Sequence, residues 1–124
     1  MEGAAVEDLA SMDNRKSGRV TSRMRCWCEG DNVTLYSRVG NLSEGGLFLR
    51  TSTPMREGTR TAVRLGAGEE SGQAFQTMAK VVWTRQNGKS WPPGMGLQFE
   101  PLDATSLERL RQIISHERAR WPEA

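Results

Sequence analysis

From Val20 onward the chain alternates in a period of two. Val20, Ser22, Met24, Cys26 and Cys28 fall on one side of an extended segment, and Thr21, Arg23, Arg25 and Trp27 on the other, which predicts a half-buried strand. Glu29–Gly30–Asp31–Asn32 reads as a turn. Val33, Leu35, Ser37 and Val39 then alternate with Thr34, Tyr36 and Arg38 in a second strand. A glycine-bearing connection, Gly40 to Gly46, leads to a short third strand, Leu47 to Thr51. After the Pro54–Gly58 turn, Thr59 to Leu65 is a fourth strand, followed by a loop from Gly66 to Gly72. Ala74 to Arg85 is the longest strand, with Phe75, Thr77, Ala79, Val81 and Trp83 expected on its core face, and Phe99 beside them from the last strand, marked by Met95, Leu97 and Phe99. Asn87–Gly88 supplies the intervening turn, lengthened by Trp91–Pro92–Pro93.

The period changes near the C-terminus. Leu107, Leu110, Ile113 and Ile114 make an apolar stripe at helical spacing, and Thr105–Ser106–Leu107–Glu108 fits a capping box with Thr105 as N-cap. The expected helix covers 106–119, with Arg109, Arg111, Arg118 and Arg120 on its polar face. Short antiparallel strands closed by one helix predict a mainly β domain, a small barrel whose closure removes exposed edges.

A length of 124 residues suits one domain that buries about two thirds of its unfolded surface. With 36% apolar and 26% charged residues, it reads as a water-soluble globular chain. No apolar run approaches the ~20 residues of a membrane span, so no membrane insertion is expected. The opening MEGAAVEDLASMD lacks the features of a secretory signal, which points to the cytoplasm. Residues 1–13 read as a flexible tail and 121–124 as a second, short one.

Net charge is only +2. Lysine occurs only at 16, 80 and 89, so the basic character is that of arginine, whose planar fork suits phosphate and guanine edges. Arg23, Arg25 and Arg38 read either as a basic rim or as a solvated outer face. Cys26 and Cys28 are too close in sequence for an unstrained disulfide and too few for a zinc site, and read as reduced core residues. No glycine-rich phosphate loop opens a helix, the one histidine, His116, reads as a solvated residue near a helix end, and no carboxylate cluster offers a metal site. No enzyme, catalytic residue, metal or cofactor is expected.

Two segments carry candidate chemistry. Arg15–Lys16–Ser17–Gly18–Arg19 is an R-x-x-x-R just ahead of the first strand, and Asn41–Leu42–Ser43–Glu44–Gly45–Gly46 is an N-x-S-x-x-G between the second and third. At this separation, with Gly46–Leu47–Phe48–Leu49–Arg50–Thr51, Pro54–Met55–Arg56–Glu57–Gly58–Thr59, Val81–Val82–Trp83 and Gly94–Met95–Gly96–Leu97–Gln98–Phe99 following, the chain resembles the PilZ domain, a bacterial receptor for cyclic di-GMP. The resemblance runs from Arg15 to Ile114. It implies a domain over 14–120, comprising a lead-in at 15–19, a six-stranded antiparallel barrel over 20–100 and the closing helix. It differs from many family members in carrying Asn14 and Lys16 beside Arg15 where they have adjacent arginines.

The resemblance assigns ligand-binding roles to Arg15, Lys16, Arg19, Asn41, Ser43, Gly45 and Gly46. The arginines take phosphate and guanine N7/O6, Lys16 adds a point charge, Asn41 reads a base edge, Ser43 offers a hydroxyl, and Gly46 lets backbone approach the base. The implied protein is a single-domain receptor that relays the level of a second messenger to an unidentified effector protein by ordering its Arg-rich lead-in. The alternative is a PilZ-like adaptor that binds no nucleotide. A single-stranded nucleic-acid binder fits less well, since net charge is near neutral and no clustered basic aromatic face is evident; no DNA partner is expected.

Overall fold

The computed structural model describes residues 18–66, 75–86 and 92–120. Both expected tails, Arg15 and Lys16, most of the loop after Leu65, and the Asn87–Gly88 turn with Trp91 lie outside them. The elements are β1 (Val20–Thr21), β2 (Arg25–Gly30), β3 (Val33–Leu42), β4 (Gly46–Arg50), β5 (Arg60–Leu65), β6 (Phe75–Arg85), β7 (Gly94–Phe99) and α1 (Ala104–Arg120). All pairings are antiparallel, in the order β3-β2-β5-β6-β7-β4, and β4 returns to β3. The result is the expected six-stranded closed barrel with a C-terminal helix, and one extra short strand, β1, lies along the end of β3.

The alternating pattern accounts for the core. Cys26, Cys28, Val39, Val63, Leu65, Phe75, Ala79, Val81, Met95 and Leu97 all point inward and are buried. Phe75 and Phe99 meet edge to face, their centroids 5.4 Å apart. The Cys26 and Cys28 Sγ atoms lie 3.7 Å apart, both as free thiols. The hydrogen bond with Cys28 and burial together push the Cys26 thiol well up from its ordinary range. Asp31 and Asn32 both adopt positive φ, 54° and 60°, making the two-residue turn that joins β2 to β3.

Three irregularities depart from simple alternation. The strand expected from Val20 to Cys28 is broken at 22–24. Between the pairs Thr21↔Asn41 and Arg25↔Arg38 the first strand advances four residues while β3 retreats three, so one extra residue is accommodated. β3 continues to Leu42, through residues expected to be connection, and its register with β4 shifts between Val39↔Leu49 and Asn41↔Phe48, which makes Gly40 the extra residue. β6 shifts likewise between Val81↔Leu97 and Trp83↔Gly96, with Val82 in excess. Trp83 is thereby turned away from the core it was expected to join and is 37% exposed on the outer face.

α1 packs Leu110 and Ile114 into the core, with Leu102 and Ile113 against them. Burial contributes about 1.5–3 kcal/mol for each of the two fully packed side chains. The helix starts earlier than the capping box predicted, and its cap is a different residue. Asp103 Oδ1 accepts the Ser106 N–H at 2.7 Å, so Asp103, not Thr105, is the N-cap, and Glu108 accepts instead from Gln112 Nε2. Aspartate outranks threonine at this position, and as an anion it also suits the positive end of the helix dipole.

The backbone hydrogen bond from Ser106 holds the Asp103 carboxyl below its usual value. Its contribution to stability is therefore complete at neutral pH, above the unfolded carboxyl range, and is lost as pH falls through the lowered folded value. Asp103→Ala is expected to melt at a lower temperature than wild type at neutral pH. Asp103→Asn should melt close to wild type there and lose less stability on acidification. Equal melting of all three proteins at both pH values would remove Asp103 from the cap.

Candidate functional site

The irregular strands converge on one stretch of the barrel's outer face. Asn41 of β3 lies opposite Phe48 of β4, Phe48 opposite Gly96 of β7, and Gly96 opposite Trp83 of β6, a single row across four strands. At Gly96 the row has no side chain. A Cβ there would fall inside the indole of Trp83, while one at Gly94 or Gly40 would press on the Phe48 ring. The glycines thus form a floor on which the two rings lie flat. Phe48 and Trp83 stack with centroids 5.4 Å apart and planes 12° from parallel. The Arg85 guanidinium sits 4.9 Å from the Phe48 centroid and 5.2 Å from that of Trp83.

A second cation stands at the other end of the row. Arg19 Nη1 donates to Asn41 Oδ1 at 2.7 Å, joining the two segments singled out in the sequence across 22 residues. The Gly40 bulge makes this contact available. With Val39 and Leu42 both inward, the extra residue between them leaves Asn41 outward beside β1. Phe48 is itself buried, so the ring of this row open to solvent is Trp83; with a cation near each end, the row can receive a flat, anionic, hydrogen-bonding molecule.

The remaining predicted residues play different parts. Ser43 is fully buried, and its hydroxyl faces its own loop, accepting from Gly45 N–H at 3.3 Å and donating to the Gly46 carbonyl at 3.4 Å. Its N–H also bonds the Gly46 carbonyl, at 2.9 Å. The Gly45 carbonyl accepts from Phe99 N–H at 2.9 Å. The space left by the missing Cβ of Gly46 is taken by the Leu97 carbonyl of β7, so this glycine serves strand packing. Arg15 and Lys16 lie outside the described residues.

α1 reaches both limbs of the site. Arg111 Nε donates to Glu44 Oε2 at 3.0 Å on the loop, and Arg118 Nη2 to the Gly18 carbonyl at 3.3 Å on the lead-in, where Gly18 has φ 72°. Glu117, 2% exposed, accepts from Ser22 Oγ at 3.0 Å at the β1–β2 interruption. Arg111 and Arg118, on the polar face of the helix as expected, are therefore also contacts of the site. Glu117 gave no signal in the sequence, because its burial depends on a serine 95 residues away.

The barrel also carries a clustered basic aromatic face, where the sequence pattern shows only Trp27 outward beside Arg25. Trp27 and Tyr36 are cross-strand partners, tilted at 39° with centroids 4.8 Å apart. Among the described residues no group of histidine, cysteine and carboxylate side chains could hold a metal ion, and no helix is long and apolar enough to cross a membrane.

Comparison with known families gives a match to the profile described as PilZ domain over residues 13–116. Several solved structures share the fold. The Bacillus subtilis inhibitor of motility MotI/DgrA is 17% identical with a TM-score of 0.67, covering 82% of this chain and 49% of its own. The PilZ domain of Escherichia coli YcgR with c-di-GMP is 23% identical with a TM-score of 0.66, covering 82% of this chain and 89% of its own. The PilZ domain of CeSA from a cellulose-synthesizing bacterium is 13% identical with a TM-score of 0.60 and covers 79% and 95%. The present chain thus spans about half the length of the Bacillus protein. Comparison with curated proteins gives no match.

The glycine floor makes a direct prediction. Gly96→Ala must lift the Trp83 indole off the sheet, at a cost of about 1–3 kcal/mol by analogy with overpacked cores. A lower melting temperature and red-shifted tryptophan emission are expected, with the shift absent when the same change is made in Trp83→Phe. Unaltered stability and emission would show that the ring does not lie on Gly96.

Proposed function

The chain belongs to the PilZ domain family, and from that premise we propose that it is a receptor for cyclic di-GMP without enzymatic activity, which passes the level of this messenger to a protein partner. The observation that carries the reading is the hydrogen bond from Arg19 to Asn41, which brings the R-x-x-x-R and N-x-S-x-x-G segments together at one end of the aromatic shelf. The c-di-GMP complexes of YcgR and PlzA, which share the fold, support it.

In this reading Arg19 turns its fork to a guanine edge or phosphate, and Asn41 offers donor and acceptor to a base. Trp83, backed by the buried Phe48 ring, provides a surface for a purine ring, and Arg85 a positive charge beside it. Arg15 and Lys16 add phosphate contacts. Ser43, Gly45 and Gly46 act by holding the loop that follows Asn41 rather than by touching the nucleotide. The anion draws the lead-in onto the barrel, and the Gly18–Arg118 contact couples that movement to α1, which a partner senses. A cytoplasmic location accompanies this role, since it would place the receptor with its messenger.

Calorimetric titration with cyclic di-GMP tests the reading. Loss of a charge-assisted hydrogen bond is worth about 1.5–3 kcal/mol, so Arg19→Ala is expected to weaken binding at least about tenfold with little change in melting temperature. Asn41→Ala should act in the same direction, and ligand should shift Trp83 emission. Equal affinity in wild type and both variants would dismiss the site. Absence of heat with wild type would leave the second reading, an adaptor of the same fold without nucleotide, which the inward-facing Ser43 hydroxyl favours.

A further inference from the structure

We propose that the outer face of β2, β3 and β5 around Trp27 and Tyr36 is a docking surface for an acidic segment of a partner protein. Strand alternation places Arg25 and Trp27 of β2, Tyr36 and Arg38 of β3 and Arg64 of β5 on the same outer side. Trp27 is 37% and Tyr36 49% exposed, an unusual outlay of large rings on the surface of a small domain. The Arg25 guanidinium lies 5.7 Å from the Tyr36 centroid and that of Arg64 5.6 Å from the Trp27 centroid. Beside Trp27 an open groove of about 390 Å³ runs over β5 and β6, lined by Glu29, Ala62, Arg64, Gln76 and Met78. Tryptophan, tyrosine and arginine clustered in this way are the residue types that dominate binding energy at protein interfaces.

Charge selects the occupant. Arg25, Arg38 and Arg64 face outward together, and among the described residues none of them pairs with a carboxylate. Among the described residues Glu29 is the one acid lining the groove. A partner presenting several carboxylates would meet guanidinium forks held in place over aromatic rings, the geometry of bidentate recognition. A nucleic acid fits less well. The two rings tilt against one another and each already carries a guanidinium within cation–π distance, leaving no open pair of faces between which bases could stack. Asn41 lies five positions beyond Tyr36 along β3, about 17 Å at strand spacing, so this face and the Arg19–Asn41 site can be occupied together. The inference takes only the existence of a protein partner from the receptor reading. Its surface is independent of whether nucleotide binds.

The test is fluorescence anisotropy of a labelled random copolymer of glutamate and tyrosine against the full chain, beside labelled oligothymidylate, with the oligomeric state followed by sedimentation. The copolymer is expected to bind, to weaken as salt rises, and to lose at least about tenfold in affinity with Trp27→Ala and with the double variant Arg25→Glu/Arg64→Glu, which reverses charge without removing a ring. Arg19→Ala should leave it unchanged, and the charge-reversed variant should take up cyclic di-GMP as wild type does, so that failure of one site is distinguishable from failure of the other. Absence of copolymer binding, equal binding by the charge-reversed variant, tighter binding of oligothymidylate, or a dimer dispersed by Trp27→Ala would each overturn the proposal.

Discussion

A strand shows alternate residues to opposite sides of its sheet, and everything distinctive about this barrel depends on breaking that rule at chosen points. An extra residue at Gly40 and another at Val82 reverse the phase of β3 and β6 near their ends. Had either strand kept its period, Asn41 or Trp83 would have been driven into a core already filled by Leu42, Val81 and Leu97. The bulges bring them outward instead, where Phe48 and a floor of glycines complete a surface that no single strand carries. Ligand-facing chemistry on a closed barrel has to come from its outer wall, because an interior of six strands is filled by side chains.

The helix gives this wall its second dimension. Its apolar residues close the core in the ordinary way, yet three polar ones on the same element reach different parts of the candidate site: Arg111 the loop, Glu117 the β1–β2 interruption and Arg118 the lead-in. The two ion-paired or hydrogen-bonded arginines are exposed and worth little individually. Their effect is positional, since they tie the two limbs of the site to one rigid rod. In the proposed receptor, this shared element is the route by which a bound ligand would alter a larger surface.

Much of the fold was legible because it obeys period and turn chemistry. Six strands, the Asp31–Asn32 hairpin and the apolar stripe of the helix all follow from local pattern. The departures share one cause, which is that bulges and caps are decided between segments. Nothing near Val82 announces an additional residue; the bulge exists only relative to β7, where Gly96 has room for an indole. Asp103 lies two residues ahead of Thr105, and the capping-box pattern that points to Thr105 carries no information about the stronger single cap before it. At the site, the motif resemblance implies that the two segments share a ligand but does not foretell the direct hydrogen bond from Arg19 to Asn41, nor the inward turn of Ser43, whose partners are backbone groups of its own loop. The Trp27–Tyr36 face is not legible as a cluster in the sequence, because its members come from three strands and meet only when the barrel closes.

The sulfur pair on β2 has a practical corollary. Both thiols are enclosed, and protonation of Cys26 is strongly favoured, so alkylating reagents and peroxides have almost no access to either sulfur while the sheet is intact. Their chemistry becomes available only when β2 separates from its neighbours. The pace at which a colourless maleimide adds to the native protein is therefore a clock for rare openings of the wall, readable in a mass spectrometer without any engineered label.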